Sequence, residues 1–225
     1  MRTLLTGILL LSLALSAQAI DKPHLDMRIR LLTLKFEEMQ AKPDKRIPAD
    51  LLGKAQGIIL LDRTKAGFIF AYQGGSGVAM VKDAKSGTWS APSFLSANEA
   101  SLGFLIGGQQ TFVVVLLMNT NATYMLTQPS FDFGGEASGT AGNATGKAEG
   151  TLSSDYNPLM LVYTDTTGLY GGAAIKGGGL SPDAEADMAY YGDYLTPNEI
   201  LFGKKAKPTE AATNLAQKLT QASKP

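Results

Sequence analysis

Gly67–Phe94 reads GFIFAYQGGSGVAMVKDAKSGTWSAPSF, and its reading decides the fold. Phe68, Phe70 and Tyr72 alternate with Ile69, Ala71 and Gln73, the two-residue period of a strand. Gly74-Gly75-Ser76-Gly77 predicts a tight turn, after which Val78 and Met80 resume the alternation. Lys85-Ser86-Gly87 predicts a second turn that delivers Thr88 and the sole tryptophan, Trp89, into the next strand.

Outward from this hairpin the texture stays β. Ile58 to Leu61 is a short apolar run, and Asp62 to Gly67 is expected as a turn that carries Lys65. Thr111 to Met118, TFVVVLLM, is apolar at every second and every intervening position, the pattern of a strand buried on both faces. Leu159–Thr164 and Leu169–Lys176 predict a hairpin around Asp165-Thr166-Thr167-Gly168. The Gly- and Ala-rich run 131–150 keeps small residues on one parity as far as Ala141, which predicts a strand there and then a mobile loop.

Helices flank the strands. Leu25, Ile29, Leu32, Phe36 and Met39 recur at helical spacing and predict a helix that packs by this stripe, ended by Pro43 and Pro48. A short helix is expected over Pro48–Lys54. Ser181-Pro182-Asp183 predicts another start, with Ser181 as the cap, that carries Met188, Tyr190 and Tyr191 back onto the sheet. Thr196-Pro197-Asn198-Glu199 repeats the signal before Ile200, Leu201 and Phe202. Lys204 onward offers only Leu215 and Leu219 to bury and is expected as a frayed helix or flexible tail.

The N-terminus reads as an export signal. Arg2 precedes an apolar run from Leu4 to Leu15, and Ala17-Gln18-Ala19 fits a small-x-small cleavage site. The expected organisation is therefore a signal peptide over 1–19, an amphipathic helix and connector over 20–46, the main domain over 47–203, and a tail over 204–225. A periplasmic or secreted location follows, and Ile20 after the cleavage point, where a lipoprotein carries cysteine, speaks against acylation.

Charge balances at 20 basic and 20 acidic residues, but unevenly. Residues 20–95 hold twelve Lys/Arg against eight Asp/Glu, whereas 128–203 hold two against ten, so an anionic ligand has a local site open to it without global attraction. Enzymatic chemistry lacks parts. There is no cysteine, and His24 is the only histidine. Ser76 misses the G-x-S-x-G arrangement because Val78 holds its last position. Asp183, Glu185 and Asp187 read as helix N-terminal acids complementing the dipole before they read as a cation site. Gly142–Lys147, GNATGK, has neither Walker spacing nor a following Ser or Thr. Near-neutral charge and scattered aromatics argue against nucleic acid, and no cofactor is implied.

Several of these segments together resemble the SYLF-domain family. Gly75-Ser76-Gly77-Val78 and Trp89-Ser90-Ala91-Pro92-Ser93-Phe94 carry the likeness first. Lys54–Ile58, the Gly103–Gly107 segment GFLIG, Val115–Asn119 and Gly142–Lys147 follow in the family's order. Tyr163 with Gly168-Leu169-Tyr170-Gly171-Gly172, then Tyr190-Tyr191-Gly192 and Ile200–Gly203, complete it. Leu105, Asn143 and Lys147 depart from the family's glutamine, proline and arginine. The resemblance implies an α+β fold, an antiparallel β-barrel-like core with several helices packed on its outside. Gly75, Gly77, Trp89, Pro92, Gly168, Gly172, Tyr191 and Gly192 would be its structural signature. It also implies a non-enzymatic, lipid-binding domain related to the fungal actin-patch regulators, here as a bacterial exported member. Its partner would be an anionic phospholipid, phosphatidic acid or phosphoinositide-like, on a membrane surface, and actin is not expected.

Headgroup contact needs cations, and the candidates are Arg28, Arg30, Lys65, Lys82, Lys85 and Lys147. Trp89 has two readings, core packing beside Pro92 and Phe94, which is favoured, and an interfacial anchor. The rival functions are an envelope scaffold or stress protein that binds another protein, and a hydrolase with a carboxylate site that no sequence spacing betrays.

Overall fold

The glycines of the quoted stretch lie inside a strand. The computed structural model describes residues 20–67, 71–101, 107–133, 160–168 and 178–224. It contains β1 (Gly57–Gly67), β2 (Ala71–Val81), β3 (Ser93–Ser101), β4 (Gly107–Leu117), β5 (Phe131–Phe133), β6 (Met160–Gly168) and β7 (Gly178–Pro182). The helices are α1 (Lys22–Ala41), α2 (Ala49–Lys54), α3 (Thr120–Tyr124), α4 (Ala184–Tyr191), α5 (Pro197–Leu201) and α6 (Glu210–Ala222). The strands pair antiparallel in the order β5-β7-β3-β2-β1-β4-β6. The α+β class and antiparallel sheet match the expectation. Closure into a barrel does not, because among the described residues β5 and β6 remain edges.

Three expected turns are strand instead. Gly75 faces Arg63 and Ala97, and Gly77 faces Leu61 and Leu95, so Gly74–Gly77 is paired on both sides. A Cβ on Gly77 would lie 2.2 Å from the Leu60 carbonyl oxygen. This glycine permits close strand approach and bends no chain. Asp62–Gly67 continues β1, and Asp165–Gly168 continues β6 against β4. The hairpin partner expected over Leu169–Lys176 lies outside the described residues. So do the signal region, most of the 131–150 run, GFLIG up to Ile106, Lys147 and Gly172. Lys85-Ser86-Gly87 does turn, with Gly87 at φ +69°, a conformation glycine adopts without cost.

The sheet buries both faces. On one, Ile58, Leu60, Val78, Phe94, Val114 and Leu116 lie under α1, α2, α4 and α6. On the other, Ile59, Leu61, Leu95, Val113 and Val115 are covered by α3, the 3-10 turn Met125–Thr127, β5, β7 and α5 through Ala122, Leu126, Phe131, Leu180 and Leu201. This is why TFVVVLLM is apolar throughout: Val113 to Leu117 have no solvent exposure. Each such side chain contributes ~1.5–3 kcal/mol by burial.

The stripe of α1 is at most 2% exposed, as its spacing predicts. Lys35 bonds Asp62 of β1 at 2.6 Å and Lys42 bonds Asp165 of β6, so two cations pin α1 across the sheet. Two helix readings need correction. Ser181 and Pro182 close β7 against Ser96 and Leu95, and Asp183 caps α4 instead by accepting from the Ala186 N–H. Met188 points outward, 51% exposed, while Tyr190 is buried. The expected flexible tail contains α6, whose Leu215 and Leu219 are fully buried and which packs on α1. Two leucines suffice because Ala211 and Ala212 bury the turn before them.

Candidate functional site

The β2–β3 connection builds the site. Lys82 and Trp89 form an isolated bridge, and between them the Asp83 carboxylate accepts from the N–H groups of Lys85 and Ser86 and from the Ser86 hydroxyl. Its second oxygen lies 2.7 Å from the Lys204 ammonium. That ion pair, with the turn donors, holds the Asp83 carboxyl well below the usual carboxylate range. The hairpin is thereby tied to the segment that follows α5.

Trp89 is half-buried and packs on the helix-covered core. The Lys82 ammonium sits 4.8 Å from the centre of its ring and donates to the Leu52 and Gly53 carbonyls at the end of α2. A cation there complements the helix C-terminus. Burial pushes the Lys82 pKa down. Pro92 is buried, and its carbonyl accepts the Tyr191 hydroxyl. Tyr191 packs edge-on against Tyr190, and Tyr190 edge-on against Phe94, each at 5.0 Å. Gly192, at φ +72°, caps α4. Four of the signature residues therefore brace one corner of the fold.

A capping box between Thr196 and Glu199 fixes α5, and Lys205 at 2.6 Å pulls the Glu199 carboxyl down to about 2. The chain then turns through Phe202, 42% exposed, and Lys204, whose φ of 53° is rare outside glycine and asparagine. This turn, α5 and the hairpin enclose a cleft of about 580 Å³. Val81, Trp89, Ala91, Ile200 and Ala206 give it an apolar floor, and Lys82, Lys204 and Lys207 line it with positive charge. A second hollow of about 540 Å³ lies between Trp89 and α6, with Lys224 at its edge. Trp89 and Pro208 belong to both.

The six candidate cations do not converge. Lys82 and Lys85 share the hairpin, but Lys82 is spent on α2 and only Lys85 stands exposed. Arg28 and Arg30 line neither hollow. The Arg28 guanidinium is 5.7 Å from the Phe94 ring centre and loses basicity through burial, while Arg30 lies 3.8 Å from Glu210. Lys65 sits in β1 opposite Gln73 and Gln109. The sequence reading missed Lys204, Lys207 and Phe202. A signal existed: residues 204–225 carry five lysines against one glutamate, directly after the Ile200–Gly203 motif.

Among the described residues no three His, Cys, Asp or Glu side chains group as a metal site, and no helix is long and apolar enough to cross a membrane. Asp187, expected among dipole-complementing acids, is 1% exposed and accepts from the Ser93 hydroxyl and the Phe94 N–H, each at 2.9 Å. Burial pushes its carboxyl up to about 7.

Comparison with known proteins gives a consistent picture. The family model described as Ysc84, Las17-binding protein actin regulator, matches residues 98–222. An SH3 domain-containing YSC84-like protein 1 from Xenopus laevis is 33% identical over 75% of this chain and 51% of its own length. The LAS seventeen-binding protein 3 of Saccharomyces cerevisiae is 33% identical over 73% of this chain and 36% of its own. The human SH3 domain-containing YSC84-like protein 1 is 29% identical over 79% and 52%. The chain thus spans about half the length of the vertebrate relatives and about a third of the yeast one. No solved structure matches.

Proposed function

The chain belongs to the Ysc84 family, the SYLF family that its motifs resemble, and from that premise we propose that it binds anionic phospholipid surfaces without catalysis. One observation carries the reading. The Trp89 end combines a half-buried indole, the exposed Phe202 ring and the exposed Lys204 and Lys207 around one cleft, with the exposed Lys85 in the adjoining turn. Aromatic rings with adjacent lysines suit the headgroup layer, where rings sit at the interface and ammonium groups meet phosphate. Three such lysines supply about 3 kcal/mol at a charged surface, so binding is weak and salt-sensitive. Cleavage after Ala19 would deliver the domain to the periplasm or outside the cell, where the inner or outer membrane offers that surface.

Co-sedimentation of the purified protein with phosphatidic acid-containing vesicles tests this. Binding at ~10 mM salt that disappears near 1 M is expected, since the screening length falls from about 30 Å to about 3 Å. Absence of binding at low salt ends the lipid reading. It would favour the second one, a protein partner, for which α1 offers an outward stripe of Met27, Leu31 and Leu34, each 50–55% exposed.

A further inference from the structure

A site for headgroups alone would need only a flat basic rim, yet behind the Trp89 rim lies an open cleft with an apolar floor. Val81, Ala91, Ile200 and Ala206 line it together with the half-buried Trp89 ring, around a volume within the ~300–1,000 Å³ range of small-molecule sites. The one carboxylate in the lining, Asp83, is paired with Lys204, so the two together add little net charge and Lys207 is the cation left over. Lys207 has no ion pair among the described residues and is exposed beside the opening. We infer that this cleft holds a single alkyl chain whose anionic head lies against Lys207, beside the Asp83–Lys204 pair. The ligand is a single-chain amphiphile with a phosphate or carboxylate head, or one chain of a membrane lipid lifted from its layer. This deepens the lipid reading by adding a chain-binding cavity to a surface contact.

The chemistry follows from the two halves of the cleft. Methylene groups leave water for Val81, Ala91, Ile200 and the Trp89 ring, while the oxyanion exchanges water for the Lys207 ammonium at the rim. Affinity must therefore rise with chain length until the floor is filled, and a headgroup without a chain must bind poorly.

Trp89 is the only tryptophan and lines the cleft, so its emission reports occupancy directly. Alkyl phosphates and alkyl carboxylates of eight to twelve carbons, kept below their micelle concentrations, are titrated against the purified protein. A saturable shift of emission that tightens roughly three- to fourfold per added methylene is expected. The better head, phosphate or carboxylate, identifies the source class. Inorganic phosphate and glycerol 3-phosphate should compete only weakly. Ala206→Phe, which fills the floor, should weaken the twelve-carbon ligands at least tenfold and remove the dependence on chain length. Lys204→Gln with Lys207→Gln, a surface change that spares the floor, should weaken both these ligands and vesicle binding. The inference is overturned if no saturable shift occurs, if affinity ignores chain length, or if Ala206→Phe, folded by circular dichroism, binds the chain as before. Vesicle binding without single-chain binding would overturn it while leaving the surface reading standing. The opposite pattern would retain the cleft and remove the surface.

Discussion

α1 and the Trp89 end both carry basic side chains beside aromatic rings, yet only one of them keeps its charge for an outside partner. On α1 and its C-cap residue Lys42, Lys35 and Lys42 are taken by Asp62 and Asp165, Arg28 lies over Phe94, and Arg30 faces Glu210. At the other end Lys82 is equally internal, but Lys85 and Lys207 stand exposed with no ion pair among the described residues, and Lys204 has a single partner on the hairpin. A basic run in a sequence is thus a poor guide to available charge. Where cations face a sheet that offers aspartates, they join layers; where they follow a turn into solvent, they can meet a ligand.

The sharpest test of the buried side is Asp187, between α4 and β3. Its pKa in the folded protein, about 7, exceeds the ordinary 3.8, so the folded state holds the proton more tightly than the unfolded chain does. The Asp187 contribution to stability is then full below about pH 4 and declines as pH rises toward 7, by up to about 4 kcal/mol. Urea unfolding across that range should show the fall, and Asp187→Asn should flatten it. An unchanged slope in the variant would remove Asp187 from the account. On the exposed side, reversing Lys85, Lys204 and Lys207 to Glu should cut vesicle affinity by about 100-fold or more, with a small fall in melting temperature from the lost Lys204–Asp83 pair. Lys82→Met separates the two kinds of lysine within one hairpin. It should cost about 1–2 kcal/mol of stability through lost contacts to α2 and Trp89, and change vesicle affinity less than twofold. Arg30→Ala should move stability by no more than about 0.5 kcal/mol and lipid binding hardly at all. A large loss of binding there would shift the site to α1.

Much of this architecture is legible in the sequence, for local reasons. The α1 stripe, the doubly apolar β4, the Lys85–Gly87 turn and the Thr196–Glu199 box each follow from neighbours a few residues apart. The misreadings share the opposite cause. Gly75 and Gly77 look like turn residues until β1 is placed beside them, and the need for a missing Cβ arises from Asp62 and Leu60, more than ten residues earlier. Asp187 reads as a solvated acid until Ser93 and Phe94 enclose it. The site was half legible. Trp89 and Lys85 mark its hairpin, while Lys204 and Lys207 reach it only because α6 folds back on α1 and anchors the segment between them.

The central claim, that the Trp89 end meets the lipid, is tested most directly by quenching Trp89 with vesicles whose acyl chains carry bromine. Phosphatidic acid-containing vesicles at low salt should bind the protein and quench the single indole, with both effects lost at high salt. Binding that leaves Trp89 emission unquenched would place the contact elsewhere and contradict the account.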